Sequence, residues 1–233
     1  MRKTAIILTM HIGNSESKKK MYLLNILDWL NYTPFDIYTV ESSGQSFYIN
    51  HPRLFEFNFK QQYTILPSVT ISEKNSILHI FENFPKLFTY DIIFKITGKY
   101  FSHDFIDEYK KNQESNMYIQ YSHIVNPLRY IILFIFILFI ILYIIYKKKY
   151  MVVVFLSCII ILFISYFISY ENTELIGTTP ILLYDFFSSI KNECCEISLY
   201  NFIMNRNLRY HRFSSLSILR KYPRNDGSIL NKL

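Results

Sequence analysis

Three short polar segments of the 233-residue sequence carry residue types that can bind a phosphorylated nucleoside. They are residues 11–14 (HIGN), 41–44 (ESSG) and 95–100 (KITGKY). Each follows a short apolar run that predicts a buried β-strand. In open α/β sheets, ligands bind in the crevice beyond the carboxyl ends of the strands, so parallel strands would bring these loops together. The sequence therefore predicts one crevice built from three loops.

The first two loops have groups suited to the nucleoside. Glu41 can accept hydrogen bonds from ribose hydroxyls, while Ser42, Ser43 and Gly44 have small side chains that permit close backbone approach. His11 can also reach the crevice. The alternatives stay open, because a Ser-Ser-Gly run is also typical of an ordinary turn and a lone loop histidine is often structural.

The third loop has groups suited to a diphosphate and a sugar. Lys95 and Lys99 can neutralise phosphate charge, and Thr97 and Gly98 can present backbone N–H groups beside Tyr100. An exposed lysine next to a strand is also compatible with simple solvation.

Strands and helices alternate along the segments that must position these loops. This order predicts an α/β fold, a single Rossmann-like domain with a mainly parallel sheet and helices on its faces. Strands are predicted over residues 4–10, 35–40, 53–59, 91–96 and 117–121. Helices are predicted from Asn14 or Ser15 to Thr33, from an N-cap at Ser72 to about Pro85, and over 104–111, 180–190 and 196–205.

One segment has the length and composition of a membrane-inserted helical hairpin. Residues 130–146 and 150–170 carry no charge and flank Lys147, Lys148 and Lys149. As helices they would span roughly 25 and 31 Å, against a hydrocarbon core of about 30 Å. The chain is therefore expected to comprise an α/β domain over 1–126 and 171–205, a transmembrane hairpin over 127–170 and a basic tail over 206–233. Both a spanning and a monotopic hairpin remain open.

The net charge of +7 does not predict a nucleic-acid-binding face. Residues 206–233 hold seven basic residues against Asp226, and residues 127–170 hold four against none, so the α/β part is nearly neutral. Charge placed in this way favours a membrane surface over nucleic acid. Three cysteines exclude a disulfide scaffold. An anionic partner bound by the arginines of the tail is another possibility.

The third loop also carries a resemblance to a known family. Residues 94–101 (FKITGKYF) resemble the "KITGRY" signature of a poorly characterised glycosyltransferase-like family of large DNA viruses and some microbes. Residues 11–14, 40–44, 72–76 and 172–177 (NTELIG) match further blocks of that family in the same order. The matches cover about residues 4–101 and 171–205, and the hairpin interrupts them.

The resemblance implies a GT-A-like fold and transfer of a sugar from a nucleotide-sugar donor to a glycan or lipid-linked acceptor. It places residues 41–44 near the nucleoside and 95–100 near the diphosphate and sugar. Glu174 is the candidate catalytic base, since an attacking hydroxyl must lose its proton, although a salt-bridging role fits Glu174 equally well. The chain has no Asp-x-Asp motif, so no cofactor is assigned and a divalent cation is not indicated.

The missing motif leaves a second function class open. The chain is either a membrane-tethered glycosyltransferase or a non-catalytic membrane protein in which the hairpin is the working part on a degenerate glycosyltransferase fold. The expected location is a membrane, with the globular part in the cytosol, where nucleotide sugars are mainly made.

Overall fold

The computed structural model describes residues 2–61, 69–120, 172–191, 195–213 and 218–220. Its centre is a seven-stranded sheet with the order β3-β2-β1-β4-β7-β6-β8, and β5 and β9 form a separate two-stranded sheet. The strands are β1 Thr4–Met10, β2 Asp36–Glu41, β3 Leu54–Asn58, β4 Ile92–Thr97, β5 Tyr100–Ser102, β6 Met117–Gln120, β7 Asn172–Thr178, β8 Tyr210–Phe213 and β9 Ile218–Arg220.

The main sheet is mixed but mainly parallel. Strand β1 pairs in parallel with β2 and β4, β2 with β3, and β6 with β8, whereas β7 runs antiparallel to both β4 and β6. Six strands therefore point one way and β7 points the other. The predicted Rossmann-like α/β sheet is confirmed at this level, and it fits the GT-A-like fold that the resemblance implies.

Helices cover both faces of the sheet, because the strands carry apolar side chains on each side. Helices α1 and α3 pack on one face, and α2, α4 and α5 pack on the other. The Ser15 hydroxyl accepts the Lys18 N–H and caps α1, and the Thr179 hydroxyl caps α4 by accepting the Leu182 N–H. The helices are α1 Glu16–Tyr32, α2 Val69–Asn83, α3 Phe105–Lys111, α4 Pro180–Ser189 and α5 Cys195–Arg206, with a 3₁₀ turn at Pro85–Thr89.

Three features differ from the sequence-based predictions. Helix α2 begins at Val69, so Ser72 lies within it and is not its N-cap; the Ser72 hydroxyl donates to Gln61 Oε1 instead. Residues 172–178 form β7, which the pattern did not predict because its Asn-Thr-Glu start is polar. Residues 210–213, placed in the basic tail by charge, form β8 beside β6.

The predicted hairpin over 127–170 lies outside the described residues. Among the helices that the structure does describe, none is long and apolar enough to cross a membrane. Most of the predicted tail beyond Phe213 is likewise outside the described residues.

Buried tyrosines make the fold sensitive to alkaline pH. Burial raises the pKa of Tyr38, Tyr90 and Tyr109 above the ordinary value, and it raises the pKa of Tyr118 to about 12. A group whose pKa is higher in the folded state stabilises the fold fully below its unfolded pKa, here about 10, and loses that contribution as the pH rises toward the folded value.

We therefore expect the free energy of unfolding to fall as the pH rises from 10 to 12. The variant Tyr118→Phe should lose less over this range, because it removes one phenol that ionises only in the unfolded chain. Urea unfolding at pH 9 and pH 11 measures the difference, with Tyr200→Phe, an exposed tyrosine of α5, as the control. Equal losses in the parent and in Tyr118→Phe would contradict this prediction.

Candidate functional site

Three strand ends meet at one edge of the sheet, as the sequence predicts. Met10 pairs with Glu41 at the ends of β1 and β2, and Thr9 pairs with Thr97 at the ends of β1 and β4. The loops that follow these strands are therefore neighbours. We call this line of strand ends the carboxyl edge.

Glu41 holds the first two loops together. It is 1% exposed, and its Oε1 accepts the Ile12 N–H at 2.8 Å and the Ser43 hydroxyl at 2.6 Å. Its Oε2 accepts the Ser43 N–H at 3.0 Å and the Gln45 N–H at 2.7 Å. These partners differ from the ribose hydroxyls expected from the sequence, because the carboxylate is turned into its own loop. In the structure Glu41 shapes the loop rather than lying open to solvent.

The other groups of these loops are arranged around that carboxylate. The His11 Nδ1 lies 2.9 Å from the Ser42 hydroxyl, and the Gly13 N–H donates to Ser43 Oγ at 3.0 Å. Ser42 is buried, Ser43 is half-buried, and His11 and Gly44 are exposed. Gly13 and Gly44 have positive φ angles of 60° and 83°, a conformation that favours glycine. His11 and Gly44 are thus the parts of this pair of loops that a ligand can reach.

The loop after β4 packs tightly against β1. The Gly98 N–H donates to the Thr9 carbonyl at 2.9 Å, so this N–H does not face a diphosphate as expected. A Cβ on Gly98 would lie 2.4 Å from Met10 Cγ, which explains the glycine. Thr97 and Lys99 are half-buried, and Lys99 Nζ lies 5.0 Å from the centre of the buried Tyr100 ring.

Lys95 is fully buried, contrary to the expectation of a lysine that reaches a diphosphate. Its ammonium forms an ion pair with Glu73 Oε1 of α2. The Thr9 hydroxyl donates to the same carboxylate oxygen at 3.4 Å. The Glu73 side chain is 16% exposed and that of Lys95 is 0% exposed, so Glu73 is the member of the pair that solvent can reach.

A second set of contacts ties α2 to the loop after β2. The Gln61 N–H donates to the Ser42 carbonyl at 3.0 Å, and the Ser72 hydroxyl donates to Gln61 Oε1 at 2.9 Å. Ser43 also forms a β-bridge with Lys60, an exposed residue. Glu73, next to Ser72 in sequence, is therefore held beside the loop expected to bind the nucleoside.

Glu174 belongs to the carboxyl edge by its position in β7. It precedes Leu175, which pairs with Ile96 near the end of β4. Asn172 pairs with Gln120, the last residue of β6. The structure therefore brings the backbone of Glu174 to the same edge as the three loops, and a role for its side chain as catalytic base stays a prediction.

The site contains two residues that sequence reasoning missed, Glu73 and Lys60. A signal for Glu73 existed: a lysine in the otherwise apolar run IIFKIT needs a buried acidic partner. For Lys60 there was no comparable signal, because its place beside Ser43 depends on how two loops fold. Among the described residues, no group of three His, Cys, Asp or Glu side chains is arranged to hold a metal ion.

A cleft lies at the opposite, amino edge of the sheet. It has a volume of about 570 Å³, and Arg2, Tyr90, Asp91 and Thr179 are among its lining residues. Its charged groups already have partners: Arg2 donates to the Ser115 carbonyl, and Asp91 accepts the Lys3 N–H. The carboxyl edge, with its glycines, exposed His11 and half-buried Lys99, is chemically better suited to a phosphorylated ligand.

Comparison with known proteins finds only remote likeness. A candidate nucleotide-diphospho-sugar transferase from Desulfovibrio desulfuricans G20 is 10% identical with a TM-score of 0.47, over 92% of this chain and 80% of that one. A197 from STIV is 12% identical with a TM-score of 0.42, over 100% of this chain and 95% of that one. No family model matches the chain, and no curated protein is similar to it in sequence.

Proposed function

We propose that the protein is a glycosyltransferase that binds a nucleotide-sugar donor at the carboxyl edge. One observation carries this proposal: the loops after β1, β2 and β4 meet there, the first two held together by Glu41 and the third held against β1 by the Gly98 N–H bond to the Thr9 carbonyl. A rigid loop arrangement at the ends of parallel strands is the usual site for nucleotides in such sheets. The KITGRY-type resemblance assigns two of these loops, residues 41–44 and 95–100, to the donor.

The proposed division of the site follows the exposure of its groups. The nucleoside lies over the loop after β2, where Gly44 leaves room and His11 is exposed. The diphosphate lies near Lys99 and Lys60, whose ammonium groups can balance its charge. Neutralisation by lysines is compatible with the absence of an Asp-x-Asp motif from the sequence.

For the chemical step, Glu174 is the proposed base. The acceptor hydroxyl gives its proton to the carboxylate while its oxygen forms a bond to the anomeric carbon, and the bond from that carbon to the diphosphate oxygen breaks. The nucleoside diphosphate leaves with the bonding electron pair. The position of Glu174 in β7, next to the end of β4, supports this role.

The acceptor is proposed to be a glycan or a lipid-linked molecule at a membrane. Gln120 and Asn172 pair with each other at the carboxyl edge, so the segment between them leaves and re-enters the fold at neighbouring points. A segment inserted between two adjacent strands begins and ends at neighbouring points, and this agrees with the hairpin predicted over 127–170. A tether attached at that edge would favour membrane-borne acceptors, with the globular part in the cytosol.

Donor hydrolysis tests the proposed activity. The purified full chain, in detergent, is incubated with a panel of UDP- and GDP-sugars with and without manganese. We expect at least one donor to release its nucleoside diphosphate, and Glu174→Gln to slow this release at least tenfold. The exposed Glu82→Gln on α2 serves as the control. If no donor is turned over and none shifts the melting temperature, the proposed function is wrong.

A further inference from the structure

We propose that Glu73 binds a hydroxyl of the sugar carried by the nucleotide donor, and that Lys95 positions it; this inference rests on the function proposed above. The resemblance matches residues 72–76 but assigns Glu73 no role. Glu73 is identified by its ion pair with the fully buried Lys95, in which the Glu73 side chain stays 16% exposed.

The position of the Glu73 carboxylate along the strands supports this assignment. Glu73 Oε1 accepts the Thr9 hydroxyl at 3.4 Å, and Thr9 pairs with Thr97, the last residue of β4. Glu73 therefore lies where the sheet ends, not deep in the core. Through Ser72 and Gln61 it is also connected to the loop after β2.

The burial of Lys95 indicates that the pair serves more than packing. Lys95 is 0% exposed and its neighbours in β4 are apolar, so placing a charge there carries a desolvation cost. Replacing such a pair by apolar side chains is often neutral or stabilising, so folding alone does not explain its presence. What the pair provides is a carboxylate held in one orientation by Lys95 and Thr9, on a side chain that stays partly exposed.

That carboxylate suits a neutral sugar rather than a phosphate. A carboxylate accepts hydrogen bonds from hydroxyl groups and repels the negative diphosphate. Because Lys60 and Lys99 are assigned to the diphosphate of the donor, we assign Glu73 to its uncharged sugar. The inference thus predicts that Glu73 affects binding of the sugar and not of the nucleoside diphosphate.

The experiment compares affinities for a nucleotide sugar and for its nucleoside diphosphate, measured by calorimetry on the purified full chain. We expect Glu73→Gln to weaken nucleotide-sugar binding about tenfold or more while diphosphate binding changes less than twofold. Since the single variant removes the carboxylate from the buried Lys95 and can lower stability, the double variant Glu73→Leu with Lys95→Met is measured too. The double variant should fold, and it should lose affinity for the nucleotide sugar but not for the nucleoside diphosphate. Glu82→Gln, exposed on the same helix, is the control.

Unchanged nucleotide-sugar affinity in the double variant would overturn the inference, because the pair would then be structural only. An equal loss of both ligands would also overturn it. If the parent protein binds neither ligand, the proposed function itself fails, which is a different result.

Discussion

Replacing Glu41 by Gln is expected to lower the free energy of unfolding by about 3 kcal/mol, because buried donors are left without an acceptor and charge-assisted hydrogen bonds are lost. The carboxylate is 1% exposed and accepts the N–H groups of Ile12, Ser43 and Gln45. A glutamine of the same shape keeps one oxygen but presents an NH₂ group to the remaining donors. The substitution therefore changes hydrogen bonding with almost no change in volume.

Urea unfolding of the parent and of Glu41→Gln measures this loss. Glu82→Gln is the matched control, because the Glu82 side chain is 59% exposed and lies beside His79, which is also exposed. We expect the control to change stability by less than about 0.5 kcal/mol. A Glu41→Gln variant as stable as the control would show that the loop does not depend on the carboxylate.

Substituting Gly177 by Ala is expected to cost about 2–3 kcal/mol through overpacking. A Cβ at this position would lie 2.2 Å from Phe94 Cε1, because Gly177 of β7 pairs directly with Phe94 of the neighbouring strand β4. The Phe94 ring has no room to retreat, since the rings of Phe105, Tyr109 and Tyr118 surround it at centroid distances of 4.8, 5.1 and 5.3 Å. The added methyl group must therefore distort the strand pairing or the aromatic cluster.

A double-mutant cycle separates this clash from other effects of the substitution. Phe94→Leu alone should destabilise the fold by leaving a cavity, but together with Gly177→Ala the smaller side chain makes room for the methyl group. We expect a coupling of at least about 1 kcal/mol between the two positions. Strictly additive effects would mean that the Phe94 ring does not account for the glycine.

The sequence was sufficient to predict which loops meet, because this follows from local patterns and one topological rule. Apolar runs ending at Met10, Val40 and Ile96 predict parallel strands, and parallel strands bring their following loops to one edge. Ser15, one of the two predicted caps of α1, is confirmed as its cap, and so is the predicted start of α4 at Pro180, since the start of a helix depends on adjacent residues.

Side-chain partners could not be predicted in the same way. Glu41 and Lys95 were both expected to contact a ligand, yet one bonds its own loop and the other pairs with Glu73 on α2. A buried glutamate or lysine pairs with a polar group that the tertiary structure brings close to it. For Lys95 that group is Glu73, which lies 22 positions away in sequence, in a helix that packs on the sheet. Strand β8 was missed because its polar residues His211 and Arg212, which suit an edge strand, also fit a solvated tail.

The central claim is that the carboxyl edge binds a nucleotide sugar, and calorimetric titration of the full chain with UDP- and GDP-sugars tests it most directly. We predict saturable binding of at least one donor, weakened about tenfold by Lys99→Ala. Lys86→Ala, which removes an exposed lysine at the amino edge, should leave it unchanged. Absence of binding at millimolar donor, or equal affinity in the parent and both variants, would contradict the claim and favour a non-catalytic role.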